Sequence, residues 1–264
     1  MNLLRRPDPQ ADGRYQWVTP ENAHWHYVGF AVWDLQAGQA LSLAARTTET
    51  CLVLLSGKAD IQAGTQVFTA MGERMSVFED QAPHAVYVTP GEAMQIKANT
   101  PVELAVCSAP AQGNYKTRHI APDAMSRETR GQGSNTRHVC NILPQDEPAD
   151  SLLVVEVKTP GGHWSSYPPH KHDVDNIPEE SFLEETYYHR LNPSQGFCFQ
   201  RVFTDDLSLD ETLSVTDKCV VLVPRGYHPV GVPYGYDSYY LNVMAGPTRR
   251  WIFKNHPDHE WMLK

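Results

Sequence analysis

Residues 165–173, SSYPPHKHD, set His170 and His172 two positions apart behind a pair of prolines. Side chains alternate faces along a strand, so two such imidazoles would project together. Downstream, LEETYYHR (183–190) puts Glu184 and Glu185 at the head of a tyrosine-rich run, and VPRGYHPV (223–230) puts His228 behind a Pro-x-Gly turn. Three imidazoles and one carboxylate form a donor set for zinc, ferrous iron or manganese that leaves positions open for substrate or water. A bare histidine pair is weak evidence, since it also suits a solvated strand edge. The later carboxylate and third histidine are what point to a metal.

Strand parity bears on the carboxylate. Glu185, Tyr187 and His189 share one face, and Glu184, Tyr188 and Arg190 share the other. Glu185 is the preferred ligand, followed by an inward tyrosine, with Glu184 as the fallback. Lys171 falls on the face away from the histidines. A second pair, His24 and His26, would need Glu49 and His84 to make a matching tetrad. A strand-turn-strand, GFAVWDLQAGQALSLAAR, separates the pair from Glu49, and no Pro-x-Gly-x-His follows. Packing on an aromatic strand is the expected role for that pair, and the N-terminal half is expected to hold no metal.

These residues need short strands to position them. TCLVLLS (50–56), HAVYVT (84–89), SLLVVEVK (151–158), GFCFQRVF (196–203), KCVVLVP (218–224) and DSYYLNVMAG (237–246) are apolar or alternating runs between turn signals. With 20 prolines, this predicts an all-β fold of sandwiches or barrels. The polar, glycine-bearing segment 121–138 reads as a linker or long crossover. The expected division is an N-terminal barrel over 1–128 and a C-terminal barrel with the metal site over 129–264.

Composition removes other classes. A net charge of −9 disfavours a nucleic-acid partner. No apolar run is long enough for a membrane helix, and MNLLRRPDPQADG lacks the apolar core of a secretory signal. Five cysteines, an odd number with no CxxC, suit a reducing cytoplasm. There is no GxSxG elbow or P-loop, and GQGSN (131–135) lacks the third glycine of a dinucleotide loop.

The HxH pair, Glu185 and the Pro-Arg-Gly-Tyr-His segment resemble the metal motifs of cupins. The spacing departs from that pattern, because twelve residues separate His172 from Glu185. At a finer level, GGHWSSYPPHKHD, LEETYYHRLNPSQGFCFQRVFTDD, VVLVPRGYHPV and YYLNVMAGPTRRW resemble the 5-deoxy-glucuronate isomerases of myo-inositol catabolism. The pectin-uronate ketol-isomerases are more distant relatives, and their pattern also falls on Glu185. The resemblance implies two jelly-roll cupin barrels and an aldose–ketose isomerisation of 5-deoxy-D-glucuronate to 5-dehydro-2-deoxy-D-gluconate. It implies a divalent metal, zinc first and manganese or iron as alternatives, assisting an enediolate or hydride-shift route. His170, His172, Glu185 and His228 would be the ligands and Tyr187 the first choice of base. Arg201 and Arg225 would be the cations for the carboxylate of a small sugar-acid substrate. Homo-oligomerisation is compatible with this plan. A metal-dependent cupin dioxygenase and a non-catalytic sugar-acid-binding cupin are the competing readings.

Overall fold

The computed structural model describes residues 2–263. Its regular structure is almost wholly strand, and the one α-helix among the described residues, Pro20–Ala23, is a single turn. Among the described residues no helix is long and apolar enough to cross a membrane. All six strands predicted above form, with their ends shifted by a residue or two.

The chain makes two compact units. One comprises Pro7–Ser126 and Asn141–Val154; the other comprises Met1–Arg6, Arg127–Cys140 and Val155–Lys264. The units are therefore interleaved along the chain rather than separated by a single cut near residue 128. Leu4 and Arg5 belong with the later unit because they pair with Val221 and Val220.

In the first unit, a six-stranded sheet runs Arg118–Ile120, His84–Val88, Thr48–Ser56, Val102–Pro110, Gly29–Leu35, Arg14–Val18. A four-stranded sheet runs Ala40–Leu43, Met94–Ala98, Ala59–Ala63, Gln66–Met71. Trp33, Leu52, Leu54 and Val106 of the larger sheet share one buried cluster with Leu41, Ile61 and Met94 of the smaller. The smaller sheet alternates buried and exposed residues along Met94–Ala98, as expected when one face meets a core and the other meets water.

The second unit contains most of a seven-stranded sheet ordered Leu4–Arg5, Val220–Val223, Glu184–Asn192, Asp237–Ala245, Leu153–Thr159, Arg137–Leu143, Ser126–Arg130. A four-stranded sheet adds Trp164–Ser165, Val230–Gly231, Phe197–Phe203 and Asp210–Thr216. Glu184–Asn192 lies between two partners, pairing Glu185 with Val223 on one side and Met244 on the other. Its register is thus fixed twice, and a one-residue slip would turn Glu185 to the opposite face.

Two expectations are corrected. Segment 121–138 is not a linker: it holds 3-10 turns at Pro122–Ala124 and Gly133–Asn135 and the strand Ser126–Arg130, and it ends in the strand from Arg137. Ser126–Arg130 is a sheet edge with exposed side chains, so it lacks the apolar pattern that betrays a strand. His24 and His26 do not pack on an aromatic strand. Both are exposed, and His24 ends the short helix with a φ of 56°.

Candidate metal centre

His172 lies just beyond the two-residue strand His170–Lys171, which pairs with Lys254–Asn255. Its position is fixed by Leu183. The Leu183 N–H donates to the His172 carbonyl at 3.1 Å, and the His172 Nδ1–H donates to the Leu183 carbonyl at 2.9 Å. Nε2 is thereby left to face the interior, 3.0 Å from Glu185 Oε2. His228 is held in the same way. Its Nδ1–H donates to the Gly226 carbonyl at 2.8 Å, and its Nε2 lies 3.3 Å from the same Glu185 oxygen. That nitrogen is buried and has no hydrogen-bond partner.

His172, Glu185 and His228 are all buried, and one donor atom from each lies within 4.8 Å of the other two. Carbonyls on both Nδ1 atoms fix the tautomer that offers Nε2 to a cation. An orphaned Nε2, a second Nε2 and a carboxylate converging in a buried interior fit a divalent metal. His170 stands beside this trio, its ring edge-on to His228 with centroids 5.1 Å apart and its other side against Phe253 at 4.6 Å. The structure therefore brings three of the four expected ligands together and sets the fourth as their neighbour. Glu184 is buried too, but the converging carboxylate belongs to Glu185.

Electrostatics follow from burial and crowding. Burial, followed by the charges of His228 and His172, drives the pKa of His170 well below the usual histidine value. Burial also lowers His228, with the Glu185 charge opposing it. At His172 burial pulls down too, but the hydrogen bond and charge of Glu185 outweigh it and the net shift is upward.

The loops bearing the ligands are tied together. Gly226 has a φ of +94°, and an added Cβ would lie 2.5 Å from the Phe203 carbonyl, so no other residue fits the turn before His228. Its N–H donates to Asp173 Oδ1 at 2.7 Å, joining the turn to the residue after His172. Lys171 does turn away from the histidine trio, but not toward solvent. It is buried among Glu180 at 3.3 Å, Asp173 at 3.6 Å and Asp205 at 3.9 Å. Asp205 in turn accepts the Tyr227 hydroxyl at 2.9 Å.

Tyr187 borders the trio, its ring 5.6 Å from that of His228. Its hydroxyl is 2.9 Å from Ser166 Oγ, which is 3.5 Å from the Tyr240 hydroxyl. Burial, then the Glu185 charge, raises the Tyr187 pKa well above the ordinary phenol value. Behind it, His189 Nε2–H donates to Gln200 Oε1 at 3.0 Å, and Gln200 Nε2 donates to the His228 carbonyl at 3.4 Å. Neither expected substrate cation touches the trio among the described residues, but Arg201 lines a cavity of 490 Å³ with Tyr167 and Pro169, the residue before His170. Arg201 pairs with Asp210 at 2.7 Å and lies over the Phe203 ring, on the strand face opposite buried Gln200. Arg225 is exposed and reaches only Ser208, at 3.5 Å. Ser166, Tyr240, Gln200 and His189 were missed as a group because they come from three separate strands and a bend, and only the His189 parity hinted at it.

In the other unit, Glu49 and His84 do not meet. Glu49 accepts the backbone N–H groups of Asp150, Ser151 and Leu152 and the Tyr87 hydroxyl at 2.6–2.8 Å. His84 stacks on His119, with 3.0 Å between Nδ1 and Nε2.

Comparison with known proteins adds to this geometry. The KduI/IolB family model matches residues 3–262. A 5-deoxy-glucuronate isomerase of Geobacillus kaustophilus is 55% identical over 262 residues, 99% of this chain and 95% of that protein. One of Bacillus subtilis strain 168 is 52% identical over 248 residues, covering 94% and 92%. The crystal structure of an IolB-like protein from Salmonella typhimurium superposes with a TM-score of 0.98 at 50% identity, over all of both chains. An oxalate decarboxylase of Lactobacillus farciminis superposes at a TM-score of 0.65 with 12% identity, over 97% and 88%, a likeness of fold alone.

Proposed function

The chain belongs to the KduI/IolB family, and from that premise we propose that it isomerises 5-deoxy-D-glucuronate, an aldose, to the ketose 5-dehydro-2-deoxy-D-gluconate in inositol catabolism. It is an isomerase with two cupin-type barrels. The observation that carries the reading is the convergence of His172 Nε2, His228 Nε2 and the Glu185 carboxylate within 4.8 Å.

In this reading His172, Glu185 and His228 hold a divalent ion, zinc by preference, with His170 beside them as the fourth donor. When bound, such an ion would supply Lewis-acid polarisation of the aldehyde and neighbouring hydroxyl oxygens. The other residues of the chain act around that centre. The two carbonyl-anchored imidazoles hold their geometry without reorganisation. Tyr187 is the proton-handling residue at its hydroxyl. That hydroxyl is held in direction by Ser166 at 2.9 Å and exchanges the proton with the substrate beside the centre. Tyr240 and Ser166 form the polar wall beside it, and the buried aromatic strand face excludes bulk water.

The test pairs elemental analysis with an isomerase assay of the wild type, His172→Ala and His228→Ala. The wild type should contain about one divalent ion per chain and form ketose, and both variants should lose metal and turnover together. Full metal content in both variants would refute the ligand set. A metal-replete wild type that forms no ketose from the deoxyuronate would refute the activity.

A further inference from the structure

Most cations flanking the candidate centre are exposed or matched to acids. Lys171 is held by Glu180 and Asp173, Arg190 by Asp217 at 2.9 Å, Arg201 by Asp210, and Arg130 by Glu128 at 2.6 Å. Arg137 is neither. It is half-buried, donates Nη1 to the Asn135 carbonyl at 3.0 Å, and has no carboxylate within ion-pair distance among the described residues. A guanidinium carries five N–H donors in a planar fork, so one such bond leaves most of them unused.

The unused donors border a cavity. Arg137 lines a space of 190 Å³ together with Gly131, Asn135, Tyr167, Pro168 and Leu263. Two of these walls lead to the metal centre. Tyr167 and Pro168 lie between Ser166, which contacts Tyr187 and Tyr240, and Pro169, which precedes the strand that begins at His170. Arg137 itself is anchored toward that segment, because the preceding residue, Thr136, contacts His163 Nδ1 through its carbonyl at 3.0 Å. Close approach of the backbone is also enforced: a Cβ on Gly131, at φ +78°, would fall 2.8 Å from Arg137 Nη1. A half-buried cation with free donors, facing a polar cavity beside the reacting end, is built for an anion.

We propose that Arg137 is the residue that binds the carboxylate of the sugar-acid substrate, holding it in the cavity between the Gly131–Arg137 turn and Tyr167–Pro168 while the aldehyde end reaches the histidine–carboxylate trio. The assignment rests on the isomerase reading above and replaces Arg201 and Arg225 as the carboxylate anchors. Arg137 positions and selects the substrate; it takes no part in moving the proton.

The experiment compares the wild type with Arg137→Met and Arg137→Lys, each assayed for metal content, for steady-state kinetics on 5-deoxy-D-glucuronate and for calorimetric binding of D-glucuronate. A lost charge-assisted hydrogen-bond pair should raise KM about 10- to 100-fold in Arg137→Met, with kcat within about threefold of wild type. The Kd for D-glucuronate should rise in parallel, Arg137→Lys should recover part of both, and metal content should stay at the wild-type level. An unchanged KM and Kd in Arg137→Met overturns the proposal, and so does loss of metal from both variants, which would make the residue structural. The two readings fail separately. A wild type that binds D-glucuronate through Arg137 but forms no ketose refutes the activity and upholds the anchor. A wild type that forms ketose with a KM indifferent to Arg137→Met refutes the anchor alone.

Discussion

His189 offers a stability experiment whose size can be worked from its surroundings. The imidazole is completely buried, its Nε2–H donates to Gln200, and its Nδ1 lies 3.6 Å from the Cys198 thiol. Burial lowers its pKa from 6.5 to about 4, with the Gln200 hydrogen bond opposing the shift. The unfolded chain therefore takes up a proton near pH 6.5 that the folded chain refuses until about pH 4. A depressed pKa means that the contribution is complete above the unfolded value and is lost as pH falls toward the folded one. Linkage with those two values gives a loss of about 2 kcal/mol between about pH 7 and pH 5. His189→Gln keeps a donor toward Gln200 and removes the titration. Urea unfolding of chelator-treated protein at both pH values, followed by fluorescence, measures the double difference. The wild type should lose about 2 kcal/mol more than the variant over that interval. Nitrogen chemical shifts of labelled histidine should show His189 as the neutral Nε2–H tautomer at pH 5. An equal loss in both proteins, or an imidazolium signal for His189 at pH 5, refutes the reasoning.

Other consequences follow from the contacts around the two units. Lys171→Met leaves Glu180 buried without its cation and should cost about 3 kcal/mol by thermal or urea unfolding, whereas a solvated lysine would cost almost nothing. Gly226→Ala forces a Cβ against the Phe203 carbonyl and should weaken metal affinity at least tenfold in a chelator competition, because the carbonyl that orients His228 must move. Glu49→Gln replaces an acceptor of three backbone N–H groups with an amide and should destabilise the N-terminal unit by about 2–3 kcal/mol while leaving bound metal unchanged.

The sequence carried those parts of the site that depend on local periodicity. Strand parity after Leu183 put Glu184 and Glu185 on opposite faces, and a twice-paired central strand keeps that parity, with the Glu185 carboxylate converging on His172 and His228. The Pro-x-Gly turn marked His228, because a left-handed φ there demands glycine. What stayed hidden depends on register between distant segments. Arg137 lies in a stretch whose exposed edge strand reads as linker, and its cavity with Tyr167 and Pro168 joins residues some thirty positions apart. Arg201 looked suitable beside the motif, but its strand turns Gln200 inward and the arginine outward. Lys171 was assigned to the correct face, but its burial needs Glu180 and Asp205, both supplied from loops.

The double contact between His172 and Leu183 has a consequence for how this chain can vary. Ten residues lie between them, and Val174–Glu179 is exposed. Because the excursion is pinned where it leaves and where it returns, its length does not enter the distance from His172 to Glu185. Loop-closure entropy grows only logarithmically, so doubling the excursion would cost only about 0.6 kcal/mol. The unusual gap between histidine pair and glutamate is thus an insertion at a clamped neck. Segments of other lengths grafted at Val174–Glu179 should leave the metal ligands in register, while one residue added after Leu183 would rotate Glu185 out of the site.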